Sequence, residues 1–336
     1  MIKPPGVVVL LIGLCISMPA RPAGAWTDTG HRLIALIAWA DLTPPARAKF
    51  TYILKTHPRY KEDMLSEMPA DLSGEDQDRY AFGMAATWPD MVRSFSNPMH
   101  ATFNHPAWHY IDIPFSVGGQ AANLPPDAGP PPHNILEALT FNIAAIKDAT
   151  VAPKDQAVAL CWILHLCGDV HQPLHAAELF SPQYPDGDKG GNAIIVLREP
   201  PYSNSQVNLH LLWDQLPGQY KDESTIRDLA TGLRSDQRFS REALKDLVAV
   251  KDPAAWANES HELAVRVAYL NGDLHGASAA EGGGEGVGDR GGQANIPGVP
   301  PGYLKQAEEV AMQRCVVAGY RTADLLNSLA DTTKAP

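Results

Sequence analysis

Apolar residues return every three or four positions over residues 32–42, 135–146, 157–167, 259–270 and 304–329, the spacing that lines one face of an α-helix. The chain therefore reads as mainly α. Loops rich in Pro and Gly separate these pieces, notably at 117–133, 181–191 and 277–302, and the last is expected to be flexible. Residues 192–197 form a short apolar run that reads as a strand, one arm of a small β-hairpin over a helical body. No internal repeat and no linker between two cores is visible, so residues 26–336 are expected to form a single helical domain with long loops.

Residues 1–25 follow a different pattern. Lys3 precedes an apolar run over 7–16, and Ala23-Gly24-Ala25 supplies the small residues of a cleavage site. This reads as a secretory signal peptide whose removal makes Trp26 the N-terminus, and it places the protein in a periplasm or outside the cell. The run falls short of the roughly 20 apolar residues that cross a bilayer, and Cys15 lacks the preceding small residue of a lipoprotein signal, so no membrane anchor is expected.

The composition, 45% hydrophobic and 19% charged, is that of an ordinary globular protein. Cleavage would remove Lys3 and Arg21, leaving 25 basic against 38 acidic side chains and a formal charge of −13. A protein that coats nucleic acid with basic residues is excluded. A polyanion would have to be held by local positive charge, for which bound divalent metals are a source. Three cysteines remain after cleavage, Cys161, Cys167 and Cys315. Cys161 and Cys167 project in different directions from one helix, so buried thiols are expected in place of a disulfide framework. Nothing calls for a protein partner, and a monomer is expected.

The chemistry concentrates in AVALCWILHLCGDVHQPLH, residues 157–175. Its first half is apolar enough to be buried, yet His165 and Asp169 lie four apart and share a helical face. One such pair is ordinarily a satisfied core hydrogen bond. Here Pro173 breaks the helix, so His175 can turn back toward the same cavity. A second pair with the same spacing, His210 and Asp214 in NLHLLWDQL, follows a plausible N-cap at Asn208 and is flanked by Leu and Trp. Two buried His-x-x-x-Asp pairs point to metal. Imidazole with carboxylate suits zinc in an exported protein, although copper and iron take the same ligands.

The string H-x-x-G-D-x-H-Q-P-L-H, followed by G-G-N and N-L-H-x-x-W-D, resembles the signature of the S1/P1 nucleases. The resemblance extends to Trp26-Thr-Asp-Thr-Gly-His31, to Trp88-Pro-Asp90-x-x-Arg93 and to His109-Tyr-Ile-Asp112, and so covers residues 26 to about 329. It implies a phospholipase C/P1 nuclease-like fold and three zinc ions per monomer. One would be held by Asp90, His109, His165 and Asp169, and a second by His175, His210 and Asp214. The third would take the α-amino and carbonyl groups of Trp26, with His31 and the shared Asp169. Such a site requires a free amine at Trp26, and hence cleavage after Ala25.

The resemblance further implies hydrolysis of single-stranded DNA and RNA to 5′-phosphate products, together with 3′-nucleotidase activity. Asp169 would bridge two metals, Asp112 would orient the attacking water, and Arg93 would grip the phosphate. Tyr110 would stack on an unpaired base, and Asn192 of the G-G-N turn would contact substrate. The other histidines, His57, His100, His105, His133, His261 and His275, are expected mostly in loops or at the surface, with His171 outside the ligand set but supporting it. Two rival readings are a zinc-dependent phospholipase C and an exported zinc-binding protein without catalysis. The short gap from Trp26 to His31, Thr29 in place of an acidic residue, and Asp214 in place of Glu all separate this chain from the phospholipases.

Overall fold

In the computed structural model the described residues are 26–127, 129–198, 205–278 and 296–331. The segment 1–25, read as a signal peptide, lies outside the described residues, as does most of the 277–302 loop. Among the described residues the helices are α1 (Asp28–Asp41), α2 (Pro44–Leu54), α3 (Glu75–Ala85), α4 (Trp88–Met91), α5 (His100–Phe103) and α6 (Ile135–Lys147). They continue with α7 (Pro153–Asp169), α8 (Leu209–Asp214), α9 (Glu223–Ser235), α10 (Lys245–Ala249), α11 (Pro253–Leu263) and α12 (Tyr303–Asp331). The fold is mainly α, as the periodicity predicts.

Two helices form the centre. Every residue of α1 from Thr29 to Trp39 is buried, as is every residue of α7 from Ala157 to Asp169. α1 packs against α12, α9, α3 and α7, and α7 packs against α6 and α2. The approach of α1 to α12 depends on Gly319, where a Cβ atom would lie 2.5 Å from Ile37 Cγ2 and 3.0 Å from the Ile34 carbonyl oxygen. Local signals fix the ends of neighbouring helices: Asn134 Oδ1 accepts from the Leu136 and Glu137 amides at the start of α6, and Pro153 opens α7.

The run expected over 259–270 does not continue as one helix. α11 stops at Leu263, a wide π-turn covers Ala264–Ala268, and Leu270 and Asn271 take φ of 51° and 57°, which ends helical progress. The expected hairpin is present as β3 (Ile194–Leu197) against β4 (Gln206–Asn208), with a third antiparallel strand, β5 (Ala277–Ser278), on the other edge of β3. A second, parallel pair joins β1 (Pro114–Ser116) to β2 (Glu178–Phe180).

Behind the C-terminal turn of α7 lies a buried ionic cluster. Arg314 and Arg321 of α12 both donate to Glu259 of α11 at 2.8 Å, and Arg321 also donates to His171 Nε2 at 2.9 Å. His171 in turn donates through Nδ1 to the Cys167 carbonyl. The imidazole thus ties α7 to α12. Cys161, Cys167 and Cys315 are free and buried. His57 departs from the loop-and-surface expectation: it is buried against Trp88, and desolvation lowers its pKa to about 4.

Candidate metal centre

The last turn of α7 carries His165 and Asp169 on one face. His165 donates through Nδ1 to the Ala86 carbonyl at 2.8 Å, which turns Nε2 toward the cluster. That nitrogen lies 3.1 Å from Asp169 Oδ2 and 2.9 Å from His109 Nδ1. Asp90, on the short helix α4 that follows Ala86, brings its Oδ1 to 3.9 Å from His165 Nε2 and 4.0 Å from His109 Nδ1. The four side chains expected to share one metal therefore converge.

The other oxygen of Asp169 faces a different imidazole. Oδ1 lies 3.4 Å from His31 Nε2, and the His31 ring stacks on His165 with centroids 4.0 Å apart. Gly168 makes this approach possible, since a Cβ there would come within 3.0 Å of His31 Nδ1. Trp26 is fully buried beside them. Its indole donates to the Gly168 carbonyl at 3.0 Å, and the Thr27 amide donates to the Asp214 carbonyl at 3.2 Å. Gly30 fits under Trp26, whose Cβ would be 2.8 Å from a side chain at that position.

The third cluster forms where Pro173–Ala176 turns back from α7 toward α8. His175 donates through Nδ1 to the His109 carbonyl at 2.6 Å, and His210 donates through Nδ1 to the Gly190 carbonyl at 2.7 Å. Their Nε2 atoms face each other at 3.1 Å, with Asp214 Oδ2 3.7 Å from His210 Nε2. Asn208 caps α8 by accepting from the Leu211 amide, and Gln172 holds Asp214 Oδ1 at 2.7 Å.

A cation fits these groups. Facing the cluster, His31 Nε2, Asp169 Oδ1 and Asp214 Oδ2 are buried without a hydrogen-bond partner, an arrangement costly in a protein interior unless a ligand satisfies it. Burial, reinforced by neighbouring imidazoles, pushes the pKa values of His31, His109 and His175 well below the usual histidine range, so these rings are neutral lone-pair donors. Desolvation also raises Asp169 to about 6 and Asp214 well above the carboxylate range. Three groups of three have the spacing of metal ligands: His31, Asp90 and His165; His109, His165 and Asp169; and His175, His210 and Asp214.

Matching residues 26–331 is a family model described as S1/P1 Nuclease. The chain belongs to the S1/P1 nuclease family. Among its relatives, Nuclease S1 of Aspergillus oryzae is 24% identical over 260 residues, covering 70% of this chain and 74% of the relative. Endonuclease 1 of Arabidopsis thaliana is 23% identical over 343 residues, covering 95% and 92%. Endonuclease 2 of the same plant is 25% identical over 217 residues, covering 62% and 61%. Membership makes the chain a nuclease of a metal-dependent family, with nucleic acid as its substrate class. No helix among the described residues is long and apolar enough to cross a membrane.

The remaining expected site residues of this S1/P1 family member are Arg93, Tyr110, Asp112 and Asn192. Arg93 Nη1 contacts Asp90 Oδ1 at 3.1 Å. Tyr110 is 40% exposed, so its ring is open to a ligand and is not core packing. Asp112 is exposed, yet desolvation by the surrounding protein lifts its carboxyl to about 6. Asn192 donates through Nδ2 to the Lys189 carbonyl at 2.8 Å, so that amide closes its own turn.

Motif reading missed the residues that hold the G-G-N turn. Lys189, Gly190 and Gly191 have φ of 57°, 60° and 85°, a left-handed run stabilised by two buried carboxylates. Glu178 accepts from the Lys189 and Gly190 amides at 3.0 and 2.9 Å. Asp188 accepts from the Leu179 and Gly191 amides and the Tyr269 hydroxyl, each at 2.8 Å. Gly190 is the residue whose carbonyl orients His210, so these acids set a metal-facing imidazole from one step away. The only signal in the sequence was Asp188, two residues before the paired glycines.

Proposed function

We propose that this chain is an exported, zinc-dependent endonuclease that cuts single-stranded DNA and RNA to 5′-phosphate products and removes the phosphate from 3′-nucleotides. Cleavage after Ala25 would release one hydrolase domain, 26–336. The observation that carries the reading is the position of Asp169, whose two oxygens face separate imidazole groups at 3.4 Å and 3.0–3.1 Å. A carboxylate so placed suits a bridge between two cations. We assign Asp90, His109, His165 and Asp169 to one zinc, His175, His210 and Asp214 to the second, and Trp26, His31 and Asp169 to the third.

Bound zinc would supply Lewis acidity, lowering the pKa of a water and offsetting charge on the phosphate. Arg93 stands at the rim, where a guanidinium can hold phosphate oxygens in a fixed fork. Asp112, with its carboxyl near 6, is suited to hold a proton of the attacking water near neutrality. Tyr110 offers an exposed face to a base, and only an unpaired base can lie on it.

The test uses zinc-loaded protein beginning at Trp26, with single-stranded DNA, 3′-AMP and phosphatidylcholine as substrates, a chelated control and zinc add-back. Zinc-restored cleavage of the first two is expected. Cleavage of the lipid alone would replace this reading with a phospholipase, and absence of turnover in the loaded protein would leave a metal-binding protein.

A further inference from the structure

Among the described residues Phe95 is the most exposed of the large hydrophobic side chains, at 87%. An apolar ring so open to water gains nothing from the fold, and its surroundings show that it is held in place. Its ring packs against His100, with centroids 4.5 Å apart, and His100 is fixed through Nδ1 to the Val92 carbonyl at 2.8 Å. The turn that carries it is closed on both sides. Ser94 and Ser96 bond hydroxyl to hydroxyl at 2.8 Å, the Asn97 amide donates to the Ser94 carbonyl, and Asn97 Oδ1 accepts from the Met99 amide. The exposed ring sits on a rigid support.

Its location is specific. Phe95 follows Arg93 by two residues, a span of at most about 7 Å of backbone, and Arg93 contacts Asp90 of the metal centre. The electrostatics differ from the rest of the molecule. From Met91 to Ile111 the sequence contains no Asp or Glu, although the chain as a whole carries a formal charge of −11. Its one permanent cation is Arg93, two residues before Phe95.

We infer that Phe95, braced by His100, is a stacking platform for an unpaired base of the strand on one side of the scissile phosphate, separate from Tyr110. The inference rests on the nuclease reading. A platform beyond the reacting phosphate acts only on substrates long enough to reach it. It gives the enzyme a preference for oligonucleotides over mononucleotides through binding, and it discriminates against duplexes, whose bases are already stacked.

The experiment compares zinc-loaded wild type with Phe95→Ala and Phe95→Trp on 3′-AMP and on an oligothymidylate of twelve residues. For Phe95→Ala, KM for the oligonucleotide is expected to rise about 5- to 100-fold, with a rise for 3′-AMP at least about fivefold smaller, and Phe95→Trp is expected to restore the oligonucleotide value. Equal effects on both substrates, or no effect on either, would overturn the platform. A second measurement is independent of turnover: quenching of the added indole in Phe95→Trp by single-stranded oligothymidylate, with a duplex of equal length as control. Quenching by the single strand alone supports the platform, and absence of quenching refutes it. A wild type that binds zinc and cleaves neither substrate would sink the nuclease reading, and the quenching result would still decide the role of Phe95.

Discussion

The Nε2 atoms of His175 and His210 lie 3.1 Å apart, while the Nδ1 atom of each ring is held by a backbone carbonyl. Two imidazole nitrogens turned toward each other with the Asp214 carboxylate beside them have the spacing of metal ligands. Chelation should therefore lower the melting temperature as well as stop hydrolysis, since a ligand at a thousand times its Kd contributes about 4 kcal/mol per site. His210→Ala should lose one equivalent of zinc by elemental analysis and reduce single-strand cleavage by more than the roughly 10- to 100-fold that follows loss of an outer hydrogen-bond partner. Full zinc content in the variant would show that His210 is not a ligand.

The hydrogen bonds that tie the Trp26 indole to Gly168 and the Thr27 amide to Asp214 give a second prediction. A peptide nitrogen cannot serve as an amine ligand. Protein that begins at Trp26 should bind three zinc ions per chain, and protein that retains Ala25 should bind two. Equal zinc stoichiometry in the two forms would remove the N-terminal amine from the site.

Gly190 has φ of 60°, and a Cβ there would lie 2.7 Å from the Leu174 carbonyl oxygen, a backbone atom that cannot swing aside. Gly190→Ala should cost about 1–3 kcal/mol from the backbone conformation alone, with the clash adding to it. Because the Gly190 carbonyl orients His210, zinc should also be lost from the His175, His210 and Asp214 group. Thermal unfolding and zinc content measured on the same sample check both effects.

Glu178 couples stability to pH. Burial, and then the nearby Asp188, raise its carboxyl from 4.5 in the unfolded chain to about 7 in the folded one. Between those values the folded protein binds more protons than the unfolded, so this group's contribution to stability falls as pH rises from about 4.5 to about 7. Glu178→Gln removes the titration. Measured by denaturant unfolding of metal-free protein at pH 5 and pH 8, the variant should gain on wild type at the higher pH, with an upper slope of about 1.4 kcal/mol per pH unit. A pH-independent difference between the two would show that Glu178 does not titrate in this window.

Much of the clustering was legible because the candidate ligands sit in short, regularly spaced strings. His165 and Asp169, like His210 and Asp214, are four apart on helices, and helical geometry alone places each pair on one face. The return of His175 could be anticipated from Pro173. The helical pattern located α1, α6, α7 and α12 to within a few residues but missed α2, α3 and α9. In α3, EDQDRYAFGMA, the first turn is wholly polar and only the second half is buried, so no sustained stripe shows, whereas α9 does carry one, Ile226, Leu229, Ala230 and Leu233, confined to two turns between polar residues. Glu178 and Asp188 were illegible for a different reason. Their role is to hold backbone amides of a left-handed turn, and no side-chain spacing encodes which carboxylate will reach those amides.

The contact between α1 and α12 sets an order of events in the life of the chain. His31 lies near the beginning, yet the helix that carries it is seated against residues 303–331, the last ones described, with Gly319 at the closest approach. Arg314 and Arg321 of the same final helix also brace the end of α7 through Glu259 and His171. A nascent chain therefore holds most of its metal-facing side chains long before it has the surface that organises them. The helix that carries His31 therefore takes its final seat only after residues 303–331 have been synthesised, so one of the first parts of the centre to be made is among the last to be fixed.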